Sequence, residues 1–360
     1  MTSRIKSVSA WIAAMALSLS PSTGIPCSAF YGESGSQSVM GKSYDWHMSH
    51  GYLIANKRNV EKSSLLVFPT DNRISWTSEY GSVTFNQYGH EFPLGGINEA
   101  GMAIEVLWLN SSEYPDDSHL QSLNELQWIQ YHLDTSANVP EMIERARQVR
   151  ISPVVAEVHY LACDANSDCA VFEYLNGELV IHSTTSLTPA MEAPSITNNT
   201  YARSMEYARN FVSFGGSRPI PTGSGSLDRF VRASYVAKSF ANQKSIDSYF
   251  FDILDSVATG SFSKWNIVYE LDEKVVHFVP RYTADRARVT IRLDDMNFDC
   301  SSSVQARRLA SHDGWTAENQ FSNMSTSKNR TMVNRALEGD IPGYLVNQVI
   351  NYPNTTRCRN

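Results

Sequence analysis

The amino-acid sequence predicts an α+β fold in which two antiparallel sheets lie between layers of helices. Strand-like and helix-like segments come in groups, in the order strands, helices, strands, helices, strands. This grouping argues against a doubly wound parallel sheet, in which single strands and helices alternate. Turns containing Gly and Asn separate many of the strands, as in antiparallel hairpins. The chain of 360 residues, 42% hydrophobic and 19% charged, is long enough to bury a large core in one or two domains.

The first group consists of strand-like segments. Strands are predicted at residues 27–31, 38–46, 53–60, 65–68, 74–77, 82–88 and 102–109. The first two form a hairpin that returns Lys42 and Asp45 to the start of the chain. The last follows an Asn-Glu-Ala-Gly turn and is a nearly continuous apolar run interrupted by Glu105, which predicts a strand covered on both faces.

Helices and two further groups of strands follow. Helices are predicted at residues 122–134, 139–150, 203–214, 229–238 and 245–257, and strands at 154–163, 170–175, 178–182, 264–271 and 274–280. Ser122 is the predicted N-cap of the first helix, with Glu125 at the capping-box position, and Pro140 opens the second helix. Residues 301–345 are polar and patchy, and we expect them to be extended or rich in loops.

The residues ahead of Cys27 predict an export signal and a short pro-segment (residues 1–26). Arg4 and Lys6 supply positive charge, and the apolar stretch at 10–19 is too short to span a bilayer comfortably. A membrane-anchoring helix fits this pattern less well, and Pro26 fits poorly with a lipid-anchored cysteine. We therefore expect export, with the periplasm as the location, no stable membrane anchor, and a functional chain that begins at Cys27.

The five cysteines indicate two disulfides and one reactive thiol. Cys163 and Cys169 flank a turn-like segment between two predicted strands, and Cys300 and Cys358 bracket the C-terminal tail. Export places them in an oxidising compartment, where an odd cysteine is a candidate reactive thiol. On this pairing the remaining cysteine is Cys27. Zinc binding is the alternative use of cysteines, but the spacing of Cys and His does not support it.

Cleavage before Cys27 would give one residue both a thiol and a free α-amine. The amine has an unperturbed pKa of roughly 8, so part of it is neutral near pH 7 and can accept the thiol proton. The resulting thiolate would attack carbonyl carbon. An ordinary buried or disulfide-bonded cysteine is the alternative interpretation of this position.

Three neighbouring residues are candidates for supporting roles. Asp45 is a candidate for holding the new amine, or Lys42, beside the thiol, and its alternative is a turn or salt-bridge carboxylate. His47 and His50 lie close in sequence and could border a pocket, although nothing in the sequence marks either as a general base. The histidine-based site therefore stays open as an alternative.

Charge and motifs exclude several classes of partner and cofactor. The net charge of −7 and the lack of a long basic run argue against nucleic acid as the main partner. The sequence has no Gly-rich phosphate loop and no recognisable metal-ligand spacing. We expect no metal or organic cofactor.

Four short motifs, in this order after an export signal, resemble the choloylglycine hydrolase family of N-terminal nucleophile (Ntn) hydrolases. That family includes penicillin V acylases and conjugated bile salt hydrolases, and the resemblance runs from Cys27 to about Tyr282. The motifs are Cys27 itself, Gly41-Lys42-Ser43-Tyr44-Asp45, Asn98-Glu99-Ala100-Gly101, and the pair Thr197-Asn198 with Asp228-Arg229-Phe230.

The resemblance implies an αββα four-layer sandwich and hydrolysis of linear amides. It implies one catalytic domain over residues 27–360, with a C-terminal extension at about 301–360, and a possible homotetramer. Asn198 would donate to the tetrahedral oxyanion, and Arg229 and Asp45 would support the nucleophile and its amine. The second oxyanion donor corresponds to Trp108, whose backbone N–H is available where many members have Asn or Tyr.

Two departures from the family pattern affect the expected pocket. Lys42 replaces the usual arginine, which keeps a positive charge but loses the planar fork. Trp46, Trp108 and His47 are candidates for the pocket wall, where indoles favour flat apolar contact with aryloxy or acyl groups. The Trp-Leu ending of the strand at Trp108 resembles the Gram-negative penicillin V acylase branch, members of which also cleave acyl-homoserine lactones. Core packing is the alternative role for either tryptophan.

The sequence thus predicts a secreted N-terminal cysteine amidase whose substrate is a small acyl amide. Penicillin V and N-acyl-homoserine lactones are the first expected substrates, and conjugated bile salts are the alternative. A non-enzymatic protein that retains the fold and binds an acyl ligand is the rival from another class.

Overall fold

The computed structural model describes residues 26–34, 37–68, 71–116, 119–154, 156–239, 246–281, 288–309 and 320–359. The predicted signal segment lies outside these residues, apart from Pro26. The strands are β1 (Ser28–Ser34), β2 (Gln37–Asp45), β3 (Tyr52–Asn56), β4 (Val60–Ser63), β5 (Ser75–Thr77), β6 (Ser82–Asn86), β7 (Pro93–Asn98), β8 (Ala103–Trp108), β9 (Gln121–Leu123), β10 (Val149–Ile151), β11 (Val158–Cys163), β12 (Cys169–Leu175), β13 (Glu178–Ser183), β14 (Ser195–Ile196), β15 (Ser263–Glu270), β16 (Val275–Pro280), β17 (Val289–Arg292), β18 (Gln305–Arg308), β19 (Ser322–Asn323) and β20 (Arg357–Cys358). The helices are α1 (Gln127–Thr135), α2 (Val139–Ala146), α3 (Tyr201–Ala208), α4 (Ser226–Lys238), α5 (Ile246–Val257), α6 (Thr326–Leu337) and α7 (Gly343–Asn351).

Two large sheets, both antiparallel, organise these strands. The six-stranded sheet has the order β14-β1-β2-β15-β16-β17, and the nine-stranded sheet has the order β13-β12-β11-β8-β7-β6-β3-β18-β19. In each sheet the strand that carries a predicted catalytic motif is internal, so its position is fixed by hydrogen bonds on both sides. Strand β2, for example, pairs with β1 on one side and β15 on the other.

The six-stranded sheet separates the main core from a layer of helices. Along β1, Ala29 and Tyr31 belong to the core between the two sheets, whereas Phe30 belongs to a second cluster with residues of α4 and α5. This alternation follows from the two-residue period of a strand. The ring of Phe30 stacks on that of Phe250 of α5, with centroids 5.3 Å apart. Helices α4 and α5 therefore form the outer layer on this side.

Helix α1 covers the other face of the nine-stranded sheet. Its Trp128 is fully buried and stacks on Tyr160 of β11 at 4.1 Å between ring centroids, with the edge of Phe172 of β12 at 5.4 Å. The layers are thus helix, sheet, sheet and helix. The predicted α+β fold, with two antiparallel sheets between helix layers, is confirmed.

The prediction of a strand at residues 65–68 is wrong, and the helix predicted at residues 122–134 is present only from Gln127 onward. Residues 65–68 form no strand, because the backbone of Leu65 binds side chains instead: its N–H donates to Gln127 and its carbonyl accepts from Asn124. Residues 121–123 form strand β9, and the helix begins at Gln127. Glu125 is not part of a capping box, since its carboxylate accepts the backbone N–H groups of Val154 and Ala156.

Several other elements differ from prediction in their bounds. The predicted strand at 53–60 is divided into β3 and β4, the helix at 139–150 ends at Ala146 and is followed by β10, and the helix at 203–214 is the shorter α3. At the start of α2 the side chain of Asn138 accepts the N–H of Glu141, which supplies the N-cap.

The prediction that residues 301–345 are extended or rich in loops is wrong for residues 326–337, which form α6. Ser325 caps this helix by accepting the N–H of Lys328. Its buried side chains Met332, Val333 and Leu337 recur at helical spacing among polar residues. Because the segment as a whole is polar, its narrow apolar stripe did not lead to the prediction of a helix.

The C-terminal segment is tied to the rest of the fold in two places. Strand β18 pairs with β3 at the edge of the large sheet, and β20 pairs with β4. The structure brings Cys300 and Cys358 into bonding contact, with Cα atoms 5.4 Å apart, and likewise Cys163 and Cys169, at 4.1 Å. Among the described residues, none of the helices is both long and apolar enough for a transmembrane span.

Candidate active site

The hairpin of β1 and β2 brings Cys27 and Lys42 to the same face of the six-stranded sheet. Cys27 precedes β1, and Ala29, two residues later, lies opposite Lys42 in the register. Residues two apart on a strand share a face, so both side chains point into the core between the sheets. Cys27 is 5% exposed, and its Sγ donates to the backbone carbonyl of Asp45 at 3.5 Å. In the part of the chain that the structure describes, it is the one cysteine without a sulfur partner.

Burial and the nearby positive charges have opposite effects on the pKa of the Cys27 thiol. Burial raises the pKa of Cys27, Asp45 raises it further, and the positive charges of Lys42 and Arg229 lower it. The balance is a raised pKa, because removal from water penalises the thiolate. The thiol of the intact chain therefore stays protonated at neutral pH and needs a base before it can attack a carbonyl.

Asp45 has one carboxylate oxygen with donors and one without. Its Oδ1 accepts from the hydroxyls of Ser43, at 3.1 Å, and Ser263. Its Oδ2 is buried and finds no hydrogen-bond partner among the described residues. Burial raises the pKa of Asp45 to about 6, although Arg229 and the hydroxyls of Ser263, Ser43 and Thr259 oppose the shift. A buried, unpaired carboxylate oxygen beside Cys27 is a suitable acceptor for a cation.

Arg229, in the first turns of α4, connects the nucleophile to Asn198. Its Nη1 donates to the carbonyl of Cys27 at 2.5 Å and to the hydroxyl of Ser28 at 2.6 Å. Its Nη2 donates to the side-chain carbonyl of Asn198 at 3.0 Å, and its Nε donates to the carbonyl of Ser224 at 3.1 Å. One planar, buried guanidinium thereby fixes the direction in which the Asn198 amide group points.

Asn198 and Trp108 also meet at this site. The side-chain amide of Asn198 donates to the carbonyl of Trp108 at 2.9 Å. At the end of β8, the backbone N–H of Leu109 donates to the carbonyl of Glu157, next to β11. The backbone N–H and C=O groups of successive residues in a strand point to opposite sides. The backbone N–H of Trp108 therefore points away from β11, to the same side as the carbonyl that Asn198 contacts. The Trp108 N–H and the Asn198 amide therefore lie on the same side of β8, which is the side where an oxyanion hole built from these two groups would form.

Lys42 is fully buried between the sheets and forms an ion pair with Glu105 of β8. Its ammonium lies 3.2 Å from Oε2 of Glu105 and also donates to the carbonyl of Val106. The hydroxyl of Tyr269 donates to the other carboxylate oxygen of Glu105 at 2.6 Å. In the sequence, Glu105 stands out only as a break in an apolar run, and no role was predicted for it. An isolated acidic residue in such a run was the available signal, because a buried carboxylate requires a partner.

The three residues expected at the pocket wall are near one another. The rings of Trp46 and Trp108 are 6.1 Å apart and tilted by 34°, and both side chains are partly exposed. His47 is exposed and its ring lies 4.9 Å from that of Trp46. Burial lowers the pKa of His47 and Asp340 opposes the shift. The two indoles thus present an apolar surface, while His47 lies at its outer side.

His159 is a second residue at the site for which no role was predicted from the sequence. It is fully buried on β11, its Nε2 lies 2.6 Å from the carbonyl of Thr197, and its Nδ1 lies 3.1 Å from Glu173. A carbonyl only accepts, so Nε2 carries the proton. This contact holds the residue before Asn198. No motif in the sequence distinguished His159 from a core histidine.

No cluster of three or more metal-ligating side chains exists within the described ranges. The site instead consists of a thiol, a carboxylate, two buried cations and N–H donors. Hydrogen bonds connect five of the six predicted catalytic residues, Cys27, Asp45, Trp108, Asn198 and Arg229. The sixth, Lys42, lies on the same face of the sheet as Cys27, but its hydrogen bonds go to Glu105 and Val106. The cysteines paired elsewhere are not part of the site.

Comparisons with known proteins agree with this arrangement. A sequence profile of the linear amide C–N hydrolases, choloylglycine hydrolase family, matches residues 27–305. Penicillin V acylase of Pectobacterium atrosepticum is 27% identical over 271 residues, which cover 68% of this chain and 68% of that protein.

Solved structures agree as well. Penicillin V acylase from Agrobacterium tumefaciens superposes with a TM-score of 0.71 at 25% identity, covering 83% of this chain and 98% of that one. A variant of conjugated bile acid hydrolase from Clostridium perfringens superposes with a TM-score of 0.64 at 14% identity, over 78% and 97% of the chains, which shows the shared fold. The profile spans most of the chain, and the residues that it covers include the whole of the site described above. The chain therefore belongs to the choloylglycine hydrolase family, and it is a linear amide C–N hydrolase of the penicillin V acylase-like type.

Proposed function

We propose that the protein is an exported amidase whose mature chain begins at Cys27 and which cleaves acyl amides such as penicillin V and N-acyl-homoserine lactones. The observation that supports this most directly is the bridge through Arg229, which holds the backbone of Cys27 and the amide of Asn198 in one rigid unit. A nucleophile and an oxyanion donor must keep a fixed separation for acyl transfer.

In this mechanism the α-amine of Cys27 is the base. It accepts the proton of its own thiol, and the resulting ammonium is held by the unpaired Oδ2 of Asp45. The thiolate then attacks the carbonyl carbon of the substrate. The tetrahedral oxyanion forms next to Asn198 and Trp108, whose N–H groups stabilise it.

Collapse of the tetrahedral intermediate breaks the C–N bond. The leaving nitrogen takes a proton from the α-ammonium and departs as the free amine, leaving a thioester on Cys27. A water molecule, deprotonated by the same α-amine, attacks this thioester and releases the carboxylic acid. The thiol and the neutral amine are thereby regenerated.

The two indoles support the choice of substrate. Trp46 and Trp108 are partly exposed and 6.1 Å apart, which suits flat apolar contact with an aryloxy group or an acyl chain. The named relatives include two penicillin V acylases and a bile acid hydrolase. Conjugated bile salts are therefore the second candidate, and they require a wider pocket for the steroid.

Export would also explain the cysteines. In an oxidising compartment the two paired sets of thiols would form disulfides and leave Cys27 free. We place the mature protein in the periplasm on this basis. The homotetramer remains a prediction from the family resemblance.

The first test is the mass of the exported protein together with its activity. We expect a chain that starts at Cys27, and a Cys27→Ser variant that folds normally but hydrolyses the amide at least about 10²-fold more slowly. Residues still attached ahead of Cys27 in an active enzyme would contradict the mechanism. Binding of an acyl ligand without turnover would favour the non-enzymatic alternative. Assays of penicillin V, acyl-homoserine lactones and glycocholate in parallel identify the substrate, and a preference for glycocholate would contradict our pocket argument.

A further inference from the structure

Lys42 reaches from one sheet to the other on the sheet face that also carries Cys27. It lies on β2, between Ala29 of β1 and Ile267 of β15 in the register. Its ammonium crosses the core to β8 of the other sheet, where it contacts Glu105 and the carbonyl of Val106. A fully buried lysine is rarely tolerated without a counter-charge, so this ion pair determines where the ammonium lies.

We propose that Glu105 is a positioning residue for the reaction: it holds the Lys42 ammonium charged and directed at the thiol of Cys27. This inference rests on the proposed function of Cys27 as the nucleophile. An ammonium has three N–H donors. Glu105 and Val106 take two of them, and we assign the third to the thiolate. Glu105 thus replaces the rigidity that a guanidinium fork would supply at position 42.

The carboxylate of Glu105 is itself fixed by its surroundings. Tyr269 donates to the oxygen that does not face Lys42. Gly95, directly opposite Glu105 in the register of β7 and β8, leaves room for it, since a Cβ at Gly95 would lie 2.4–2.6 Å from the atoms of the carboxylate group. The pair therefore occupies a space that the neighbouring strand leaves free for it.

The electrostatics of the site agree with this geometry. Lys42 is the strongest of the charges that lower the pKa of Cys27. Burial raises the pKa of Glu105, and Lys42 and the hydroxyl of Tyr269 oppose this shift because both interact favourably with the ionised carboxylate. The carboxylate thus supports the charge of Lys42, and through Lys42 it favours the thiolate.

The proposal predicts a direction that a bystander role would not. If Glu105 merely added negative charge near the thiol, its removal would lower the pKa of Cys27. If it keeps Lys42 charged and in place, its removal leaves a buried ammonium unpaired, which loses its proton or turns away, and the pKa of Cys27 rises. The isosteric variant Glu105→Gln separates the two, because glutamine can still accept from Tyr269.

The experiment measures the rate of iodoacetamide alkylation of Cys27 against pH in the purified mature protein, together with kcat and KM for penicillin V. For Glu105→Gln we expect the thiol pKa to rise by about one unit and kcat to fall about tenfold, with KM changed less than kcat. A lowered or unchanged thiol pKa would overturn the proposal.

A double variant tests whether Glu105 acts through Lys42. Lys42→Met alone should raise the thiol pKa. Adding Glu105→Gln to Lys42→Met should raise it no further, since the two residues then belong to one unit. Two additive shifts would overturn the proposal.

Glu91→Gln is the control for removing a carboxylate from a buried ion pair elsewhere in the fold, where Lys62 keeps a second carboxylate, Asp134, at 2.9 Å. Glu91 lies 2.5 Å from the buried Lys62, so this variant should lower the melting temperature without moving the thiol pKa. A thiol shift equal to that of Glu105→Gln would mean that the effect is structural. Alkylation needs no substrate, so it reports the thiol pKa whether or not the protein hydrolyses an amide. If the variants shift the thiol pKa as expected but the wild type hydrolyses no amide, the proposed function is contradicted and the inference about Glu105 is not.

Discussion

The Asn198 side chain is oriented by Arg229, whose Nη2 donates to its carbonyl oxygen at 3.0 Å. An amide group has distinct donor and acceptor ends. Occupation of the acceptor end by Arg229 forces the NH₂ group to face the other way, towards Trp108 and the space in front of Cys27. Because the same guanidinium binds the Cys27 carbonyl, movement of either residue would disturb the other.

Substitution of Arg229 by lysine should therefore damage catalysis although it keeps the charge. An ammonium cannot span Cys27, Ser28 and Asn198 in one plane, so the Asn198 amide loses its fixed direction. We expect kcat for penicillin V to fall about 10²-fold, which approaches the effect of removing an oxyanion donor. The measurement is steady-state kinetics of the Arg229→Lys variant.

The neighbouring Arg232 provides the control for this variant. It lies on the same helix and binds the backbone carbonyls of Ser256, Pro221 and Gly223, away from the thiol. Arg232→Lys should leave kcat within about twofold of the wild type while changing stability slightly. Equal losses in the two variants would show that Arg229 acts by stabilising α4 and not by orienting Asn198.

His159 should help to position Asn198, because it binds the residue before it. Its Nε2–H binds the carbonyl of Thr197, and in His159→Phe this buried carbonyl loses its donor. The segment that carries Asn198 would then shift, and we expect kcat to fall about tenfold with a smaller change in KM. His182→Phe, at a histidine that packs on Tyr201, is the control and should retain kcat. A normal kcat in His159→Phe would limit the role of His159 to core packing.

The predictability of the site depended on how far apart its residues are in the sequence. Cys27 and Asp45 belong to one predicted hairpin, and Asn198 and Arg229 lie in short motifs whose resemblance to the choloylglycine hydrolase family implied their roles. Glu105 is 63 residues from its partner Lys42, and the contact of His159 with the Thr197 carbonyl spans 38 residues. Their roles arise only when the two sheets pack together, and no local pattern encodes that contact.

The fold shows the same division. Local apolar patterns located the longer strands of both large sheets, but not the short strands β14, β17, β18 and β19. The backbone of Leu65 was misassigned because its partners are the side chains of Asn124 and Gln127, distant in sequence. Helix α6 was missed because packing of its narrow apolar stripe, rather than composition, stabilises it.

Asp45 should make the uncleaved chain less stable as the pH rises. The pKa of Asp45 is about 6 in the folded chain and about 3.9 in an unfolded one, so the folded state binds the proton more tightly. Stability is then highest below about pH 4 and decreases as the pH rises through 6, by roughly 3 kcal/mol in all. We expect urea unfolding of the chain with residues ahead of Cys27 retained to show this loss, and Asp45→Asn to reduce it.

The mature chain should behave differently. Its α-ammonium would bind the free Oδ2 of Asp45 and lower the pKa of that carboxyl, so the loss of stability between pH 4 and 6 should shrink. The difference in unfolding free energy between the wild type and Asp45→Asn, measured for the uncleaved and for the mature chain, removes the pH-dependent contributions of the other acidic residues. An Asp45 effect of equal size in the two forms would contradict the contact between the amine and Asp45.

The two cysteine pairs should contribute unequally to stability. Cys300 and Cys358 close a loop with a sequence separation of 58, whereas Cys163 and Cys169 are separated by 6. Loop-closure entropy then predicts that a disulfide contributes about 4 kcal/mol in the first case and about 2 kcal/mol in the second. The measurement is the free energy of unfolding in urea for the two double Cys→Ala variants, with thiol titration of the denatured, unreduced wild type. We expect that titration to detect Cys27 alone. Five titratable thiols would contradict the proposed disulfides. Equal losses of stability in the two variants would contradict the entropic explanation of their contributions.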